Sequence, residues 1–357
     1  MNAKPIHFFA DKPVFGLDIG RSSLKVMQLK NITGKPEIIG YGTADFDTRA
    51  LDDGVIAKPE EIAQALHDIF QNRLLGEITT RRVAMALPGY RTFTRSIQLP
   101  RLGDAEQSEA VQLEVEQYVP VPLEELYLDY TVTAQTPENS EIFVVAVPKK
   151  IVDSYLDLAT KLGLEPVLIE PTMTAGARFF ARDKHSDVTS VIIDFGSLTA
   201  TISIYDKTIL ATSTVSAGGL VFTEAIRMIL GVSHQEAGDI KTKFGLDVSR
   251  YQKKIAEALE PSLGKVVTEV RRMLRFYEEH YGVGKPIAQI VTLGGGANMP
   301  GLSDYLTDAL KVPVRTHEHP WAVFDYGHLQ LPEEADRLMY ATVAGLSLLN
   351  PKQVFAP

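Results

Sequence analysis

Two short stretches, one in each half of the chain, share a plan that few folds use twice. Val14-Phe-Gly-Leu-Asp-Ile-Gly-Arg-Ser-Ser-Leu-Lys-Val-Met27 and Val191-Ile-Ile-Asp-Phe-Gly-Ser-Leu-Thr-Ala-Thr-Ile-Ser203 each read as an apolar strand, an Asp-x-Gly turn, hydroxyl residues and a second apolar strand. Glycine lets the backbone reverse there without a Cβ penalty. A carboxylate at the strand end, beside free N–H groups, can hold a hydrated divalent cation and face phosphate. One such turn is equally well a bare hairpin. Two of the same form point instead to facing walls of one phosphate cleft.

With 357 residues the chain is long enough for two domains. Its 45% hydrophobic and 23% charged residues are those of a globular protein. A net charge of −9 argues against general nucleic-acid binding, which needs a basic surface to displace counterions. There are no cysteines, so disulfides, thiolate metal sites and a cysteine nucleophile are excluded together. No apolar run approaches the ~20 residues of a membrane helix. The opening Met-Asn-Ala-Lys-Pro-Ile-His-Phe-Phe-Ala lacks the apolar core of a signal peptide, so a cytoplasmic protein is expected.

Strands are expected at Val14–Ile19, Leu24–Lys30 and Glu37–Thr43, and a helix with Pro59 at its first position follows. Arg82–Leu87 is a strand stopped by Pro88-Gly89. The pattern then shifts. A strand at Arg91–Leu99 leads to a helix capped by Asp104 with Gln107 three residues on, and that helix breaks at Tyr118-Val-Pro-Val-Pro-Leu123. Strands at Leu126–Ala134 and Ile142–Val147 and a helix from Pro148 to Gly163 complete an αβ unit that reads as an insertion. The second half restarts at Val188–Phe195, continues with Thr199–Tyr205 and Thr208–Val215, and then turns helical from Gly219, from His234 and over Tyr251–Tyr281. A strand at Ala288–Leu293 ends in three glycines, and Glu333–Leu349 is expected as one helix.

A nucleoside triphosphate needs a metal, N–H donors for its phosphates and close backbone for its base. Asp18 and Asp194 are the metal candidates, binding Mg²⁺ mostly through water because that ion dehydrates reluctantly. Ser22, Ser23, Ser197 and Thr199, with the amides around Gly20 and Gly196, are placed to reach the phosphates. Lys25 could add a point charge, although a strand residue here more readily faces solvent. Gly294, Gly295 and Gly296, followed by Ala297 and Asn298, sit between a strand and a helix, where bare backbone admits a base or ribose.

The order of these elements resembles the actin, heat-shock chaperone and sugar-kinase superfamily. Leu168-Ile-Glu-Pro-Thr-Met-Thr-Ala-Gly176 is similar to the chaperones' strand-to-helix connector. Ser216-Ala-Gly-Gly-Leu220 and Glu236-Ala-Gly-Asp-Ile-Lys241 resemble the Gly-Gly turn and Ile-Lys helix of the actin-like cell-division and cell-shape proteins. That resemblance brings Gly218, Gly219, Asp239 and Lys241 to the adenosine end. Glu114-Val-Glu-Gln-Tyr-Val-Pro-Val-Pro-Leu-Glu-Glu-Leu126 resembles the PilM family of type IV pilus assembly proteins, and so do Leu-Asp-Ile-Gly-x-Ser-Ser and Gly-Gly-Gly-Ala. Arg21 departs from the small residue common at its position; it would either contact phosphate or crowd it.

The resemblance implies an α/β, actin-like two-domain ATPase fold with duplicated sheet–helix cores. The first domain would span 13–187 with the inserted subdomain at about 90–163. The second would span 188–332 with a helical subdomain at about 232–284, and 333–350 would return to the first as a C-terminal helix. It implies ATP and Mg²⁺ in the central cleft. It also implies a cytoplasmic adaptor, peripheral on the inner membrane, that takes the cytoplasmic N-terminal peptide of a PilN-like protein. The inserted unit, with two exposed-edge strands, is the expected peptide surface. Other pilus components and further copies of the chain stand as additional partners the resemblance leaves open. The alternative is an active ATPase or a sugar-kinase-like phosphotransferase. Glu170 separates the two: it either positions water for attack on the γ-phosphate or caps the helix after Pro171.

Overall fold

The computed structural model describes residues 12–281 and 285–350. The opening segment, read above as lacking a signal peptide, lies outside the described residues, as do 282–284 at the end of the expected helical subdomain.

The first half builds β1 (Phe15–Ile19), β2 (Ser23–Lys30), β3 (Glu37–Asp45), α1 (Pro59–Asp68) and β4 (Arg82–Leu87). The inserted stretch follows as β5 (Phe93–Pro100), α2 (Asp104–Tyr118), β6 (Leu126–Gln135), β7 (Asn139–Pro148) and α3 (Lys149–Lys161). β8 (Glu165–Pro171) and α4 (Thr172–Phe180) return to the first sheet, whose order is β8-β4-β1-β2-β3 with the short strand Leu75–Gly76 at its edge. The second half contributes β9 (Ser190–Phe195), β10 (Ala200–Asp206), β11 (Thr208–Val215), α5 (Gly219–Leu230), α6 (His234–Lys243), α7 (Gln252–His280), β12 (Gln289–Leu293), α8 (Leu302–Leu310), β13 (Val314–Thr316) and α9 (Ala341–Ser347).

The repeat in the sequence is a repeat in space. In the first sheet the hairpin β1–β2 is flanked by β4, parallel to β1. In the second, the hairpin β9–β10 is flanked by β12, parallel to β9. Each strand carrying an aspartate is thus central and buried on both sides, which explains its continuous apolar run.

The inserted strands extend the second sheet, which runs β13-β12-β9-β10-β11-β5-β7-β6. The seam is made by the pair Ala211–Arg95 and by a hydrogen bond between the hydroxyls of Thr94 and Thr212. Of the two strands expected at an edge, only β6 is one; β7 is paired on both sides. Helix α3 leaves this sheet and packs Ile151, Tyr155 and Leu158 into the first core with Leu17, Val83 and Met85.

Two local expectations are corrected. The α2 cap is Gly103, whose N–H donates to Glu106 Oε2 at 3.4 Å, while Gln107 is buried. The helix expected over Glu333–Leu349 is a 3₁₀ turn at Glu334–Tyr340 followed by α9. Side chains hold that turn: Arg337 Nε donates to the Pro332 carbonyl at 3.0 Å, and Asn298 Nδ2 donates to the Ala335 carbonyl.

Candidate functional site: a cleft between two matched turns

The two turns are built alike. Gly20 N–H donates to the Ser23 carbonyl at 2.9 Å, and Gly196 N–H donates to the Thr199 carbonyl at 3.0 Å. Asp18 pairs across its hairpin with Lys25, whereas Asp194 pairs with Thr201. Both turns open onto one cleft of about 440 Å³, lined from both halves of the molecule.

Charge in the cleft is unevenly shared. Lys25 is buried, 5% exposed, so the expected solvent-facing side chain is corrected. Its Nζ lies 3.9 Å from Asp18 Oδ2 and donates to Ser23 Oγ at 3.1 Å. Burial raises the Asp18 carboxyl above its usual range, and the Lys25 charge opposes that shift. The Asp194 carboxyl is pushed up to about 6, by burial first and then by the Asp18 charge, again with Lys25 opposing. Two desolvated carboxylates sharing one ammonium are short of positive charge, which a divalent cation supplies. Among the described residues no group of three or more acidic, His or Cys side chains is gathered for a metal. An ion held here would take its remaining ligands from water and phosphate, as Mg²⁺ prefers.

Beside the second turn the wall is bare backbone. Gly294 has φ 79°, and a Cβ on it would stand 2.3 Å from Asp194 Oδ1. Gly295–Asn298 forms a 3₁₀ turn beside it. Lys241 Nζ donates to the Gly219 carbonyl at 3.0 Å and to Thr223 Oγ1 at 2.9 Å, and burial lowers its pKa. Arg21 Nη1 donates to the Leu51 carbonyl at 2.7 Å, so its guanidinium lies along the rim of the first turn.

Of the residues singled out in the sequence, Asp18, Gly20, Arg21, Ser22, Ser23, Lys25, Asp194, Gly196, Ser197, Thr199, Gly219, Lys241, Gly294, Gly295, Gly296 and Asn298 all line this cleft. Gly218, Asp239 and Glu170 do not. Gly218 caps α5 behind the second turn, and Asp239 faces solvent on α6. Glu170 is 5% exposed, and both of its oxygens accept from Arg178, at 2.5 and 2.7 Å. It therefore neither faces the cleft nor caps α4. The cleft also gathers Asp45, Tyr90, Thr172, Thr201, Asp336 and Thr342. Thr201 was legible as the register partner of Asp194 and Thr172 as part of the Glu-Pro-Thr connector, but Asp45, Tyr90, Asp336 and Thr342 are brought in from segments with no motif of their own.

The overall arrangement has close counterparts. A PilM–PilN type IV pilus biogenesis complex contains a chain of 25% identity with TM-score 0.80, covering 97% of this chain and 99% of that one. The cell division protein FtsA of Enterococcus faecalis is 25% identical over 350 residues, spanning 85% of this chain and 78% of that protein. The MreB5 protein of Spiroplasma citri bound to ADP shares the fold at 14% identity and TM-score 0.55, over 98% of this chain and 100% of that one. The fold is the actin-like two-domain ATPase fold. A family model described as type IV pilus assembly protein PilM matches residues 16–349, and the chain belongs to that family.

Proposed function

We propose that the chain is an ATP-binding adaptor of a type IV pilus assembly complex. It holds Mg–ATP between its two halves and the cytoplasmic N-terminal peptide of a PilN-like membrane protein on its inserted unit. The observation that carries the nucleotide reading is the placing of Asp18 and Asp194 on matched turns of one cleft, with Lys25 beside Asp18. Mg²⁺ bound there would neutralise the carboxylates and phosphates together. It would tie the two halves into one arrangement, so that nucleotide occupancy sets the angle between them. Ser22, Ser23, Ser197 and Thr199 would orient the phosphates, and the Gly294–Gly296 wall would take the adenosine. The retreat of Glu170 from the cleft supports occupancy over turnover, and so the adaptor over the phosphotransferase.

The likeness to the PilM–PilN complex supports the partner. No helix among the described residues is long and apolar enough to cross a membrane, which suits a protein reaching the inner membrane through that partner from the cytoplasm. We divide the chain as the repeat suggests, into 13–187 with its insertion at about 90–163, then 188–332, then a returning segment at 333–350.

The test is recovery of nucleotide after incubation with Mg²⁺ and labelled ATP and rapid desalting, followed over several hours. Intact ATP retained by the parent, and lost with EDTA or in Asp18→Asn, supports the adaptor. Steady conversion to ADP puts the enzyme reading ahead. A parent that retains nothing removes the cleft assignment.

A further inference from the structure

Asp18, Ala86 and Glu170 form one row across β1, β4 and β8. Partners in a row project from the same face of a sheet. Glu170 thus stands on the Asp18 face, two strand spacings or about 10 Å away, with the Ala86 methyl between them. Thr172, two residues beyond Glu170, and Pro88, two beyond Ala86, both line the cleft. A buried carboxylate so near the phosphate turns is withheld from them by one side chain. Arg178 grips both of its oxygens, and Nη1 of the same guanidinium donates to the Gly345 carbonyl at 3.0 Å. The fork is thereby fixed to α9 as well as to β8.

We propose that Arg178 is a positioning residue that keeps Glu170 out of the cleft and so keeps bound ATP intact; the inference rests on the Mg–ATP reading above. A carboxylate deprived of its guanidinium does not stay buried and charged. Rotation across the Ala86 methyl brings it to the solvent of the cleft. There it does the work of a general base. The oxygen of a water molecule bonds to the γ-phosphorus as the bond to the β,γ-bridging oxygen breaks. Glu170 takes the water proton and returns it to the phosphate released, leaving ADP and inorganic phosphate.

The experiment compares the parent with Arg178→Met, Arg178→Lys and the double variant Arg178→Met/Glu170→Gln, measuring Mg–ATP retention, kcat and KM separately. Arg178→Met is expected to raise kcat about 10²-fold with KM little changed, and the double variant to return to the parental rate. A purely structural ion pair predicts no gain in either. Arg178→Met that retains ATP and turns it over at the parental rate overturns the proposal, and so does a gain that survives Glu170→Gln. Should Arg178→Met fail to fold, Arg178→Lys carries the test, because it keeps the charge but not the two-point grip. A smaller gain, abolished by adding Glu170→Gln, then supports the proposal, and the parental rate overturns it. A parent that retains no ATP overturns the Mg–ATP reading itself, and this inference with it.

Discussion

Gly294 and Asp194 are packed so closely that a Cβ on the glycine would stand 2.3 Å from the carboxylate Oδ1. The glycine also has φ 79°, in the region that L side chains avoid. Gly294→Ala should therefore damage both backbone and metal position. With ψ 167° the backbone sits in a region open essentially to glycine alone, so we expect a stability loss of about 1–3 kcal/mol from the conformation itself, with Mg–ATP retention down at least about tenfold. Gly163→Ala is the control, since Gly163 has φ 63° but open space where its Cβ would go. It should lose similar stability and keep its nucleotide. Thermal melts and desalting assays on the two variants separate strain from site damage.

Asp194 makes the empty protein sensitive to pH. Its carboxyl is pushed up to about 6 from 3.8, so between these values the folded state holds more proton than the unfolded one. Stability is then fully present below the lower value and declines as pH rises through the higher. Asp194→Asn should match the parent near pH 4 and exceed it above pH 6, by about 1–2 kcal/mol once solvent reaching the half-buried group is allowed for. With Mg–ATP present the order should reverse, because the ion needs the charged carboxylate. A stability difference that stays flat from pH 4 to 8 would remove this account.

What the sequence disclosed and what it hid divide along a physical line. Asp18-Ile-Gly20 and Asp194-Phe-Gly196 announced their hairpins because a strand-end carboxylate and a turn glycine are local requirements. The glycine wall was legible for the same reason. Lys25 was misread because strand alternation gives two faces and does not say which one meets the cleft. The grip of Arg178 on Glu170 joins a strand to a helix eight residues on, and no local rule pairs them. The seam between β5 and β11 was hidden too, since sheet partners are chosen by long-range packing. The 3₁₀ turn at Glu334–Tyr340 depends on Asn298, a residue of another segment.

Helix α9 should be the least forgiving element packed against the first sheet. A Cβ on Gly345 would stand 1.8 Å from the Ala175 carbonyl oxygen of α4, so the two helices cross backbone to backbone. Gly345→Ala must separate them, and we expect a loss of about 3 kcal/mol or failure to fold. Gly238→Ala, inside α6 with nothing within 4 Å of its Cβ, should instead gain roughly 0.5–1 kcal/mol from helix propensity. Urea denaturation of the pair gives opposite signs if the crossing is as close as described. Equal effects would mean that α4 and α9 can part at little cost.

The inserted unit offers the partner peptide two different surfaces, and a pair of substitutions tells them apart. Among the described residues β6 is the free edge of the eight-stranded sheet, with Tyr127 and Val132 exposed along it. An extended peptide could add there as a further strand, its backbone meeting the open edge and its side chains meeting these apolar groups. Leu113, 63% exposed on α2, marks the other surface. Val132→Lys places a charge beside the edge and should weaken binding of a synthetic PilN-like N-terminal peptide by at least about tenfold. Neither substitution touches the cleft, so ATP retention should stay at the parental level. Loss of peptide binding in Leu113→Lys but not in Val132→Lys would move the peptide from the edge strand to the helix. Parental binding in both would take it off these two surfaces and leave the seam between β5 and β11 as the place to look.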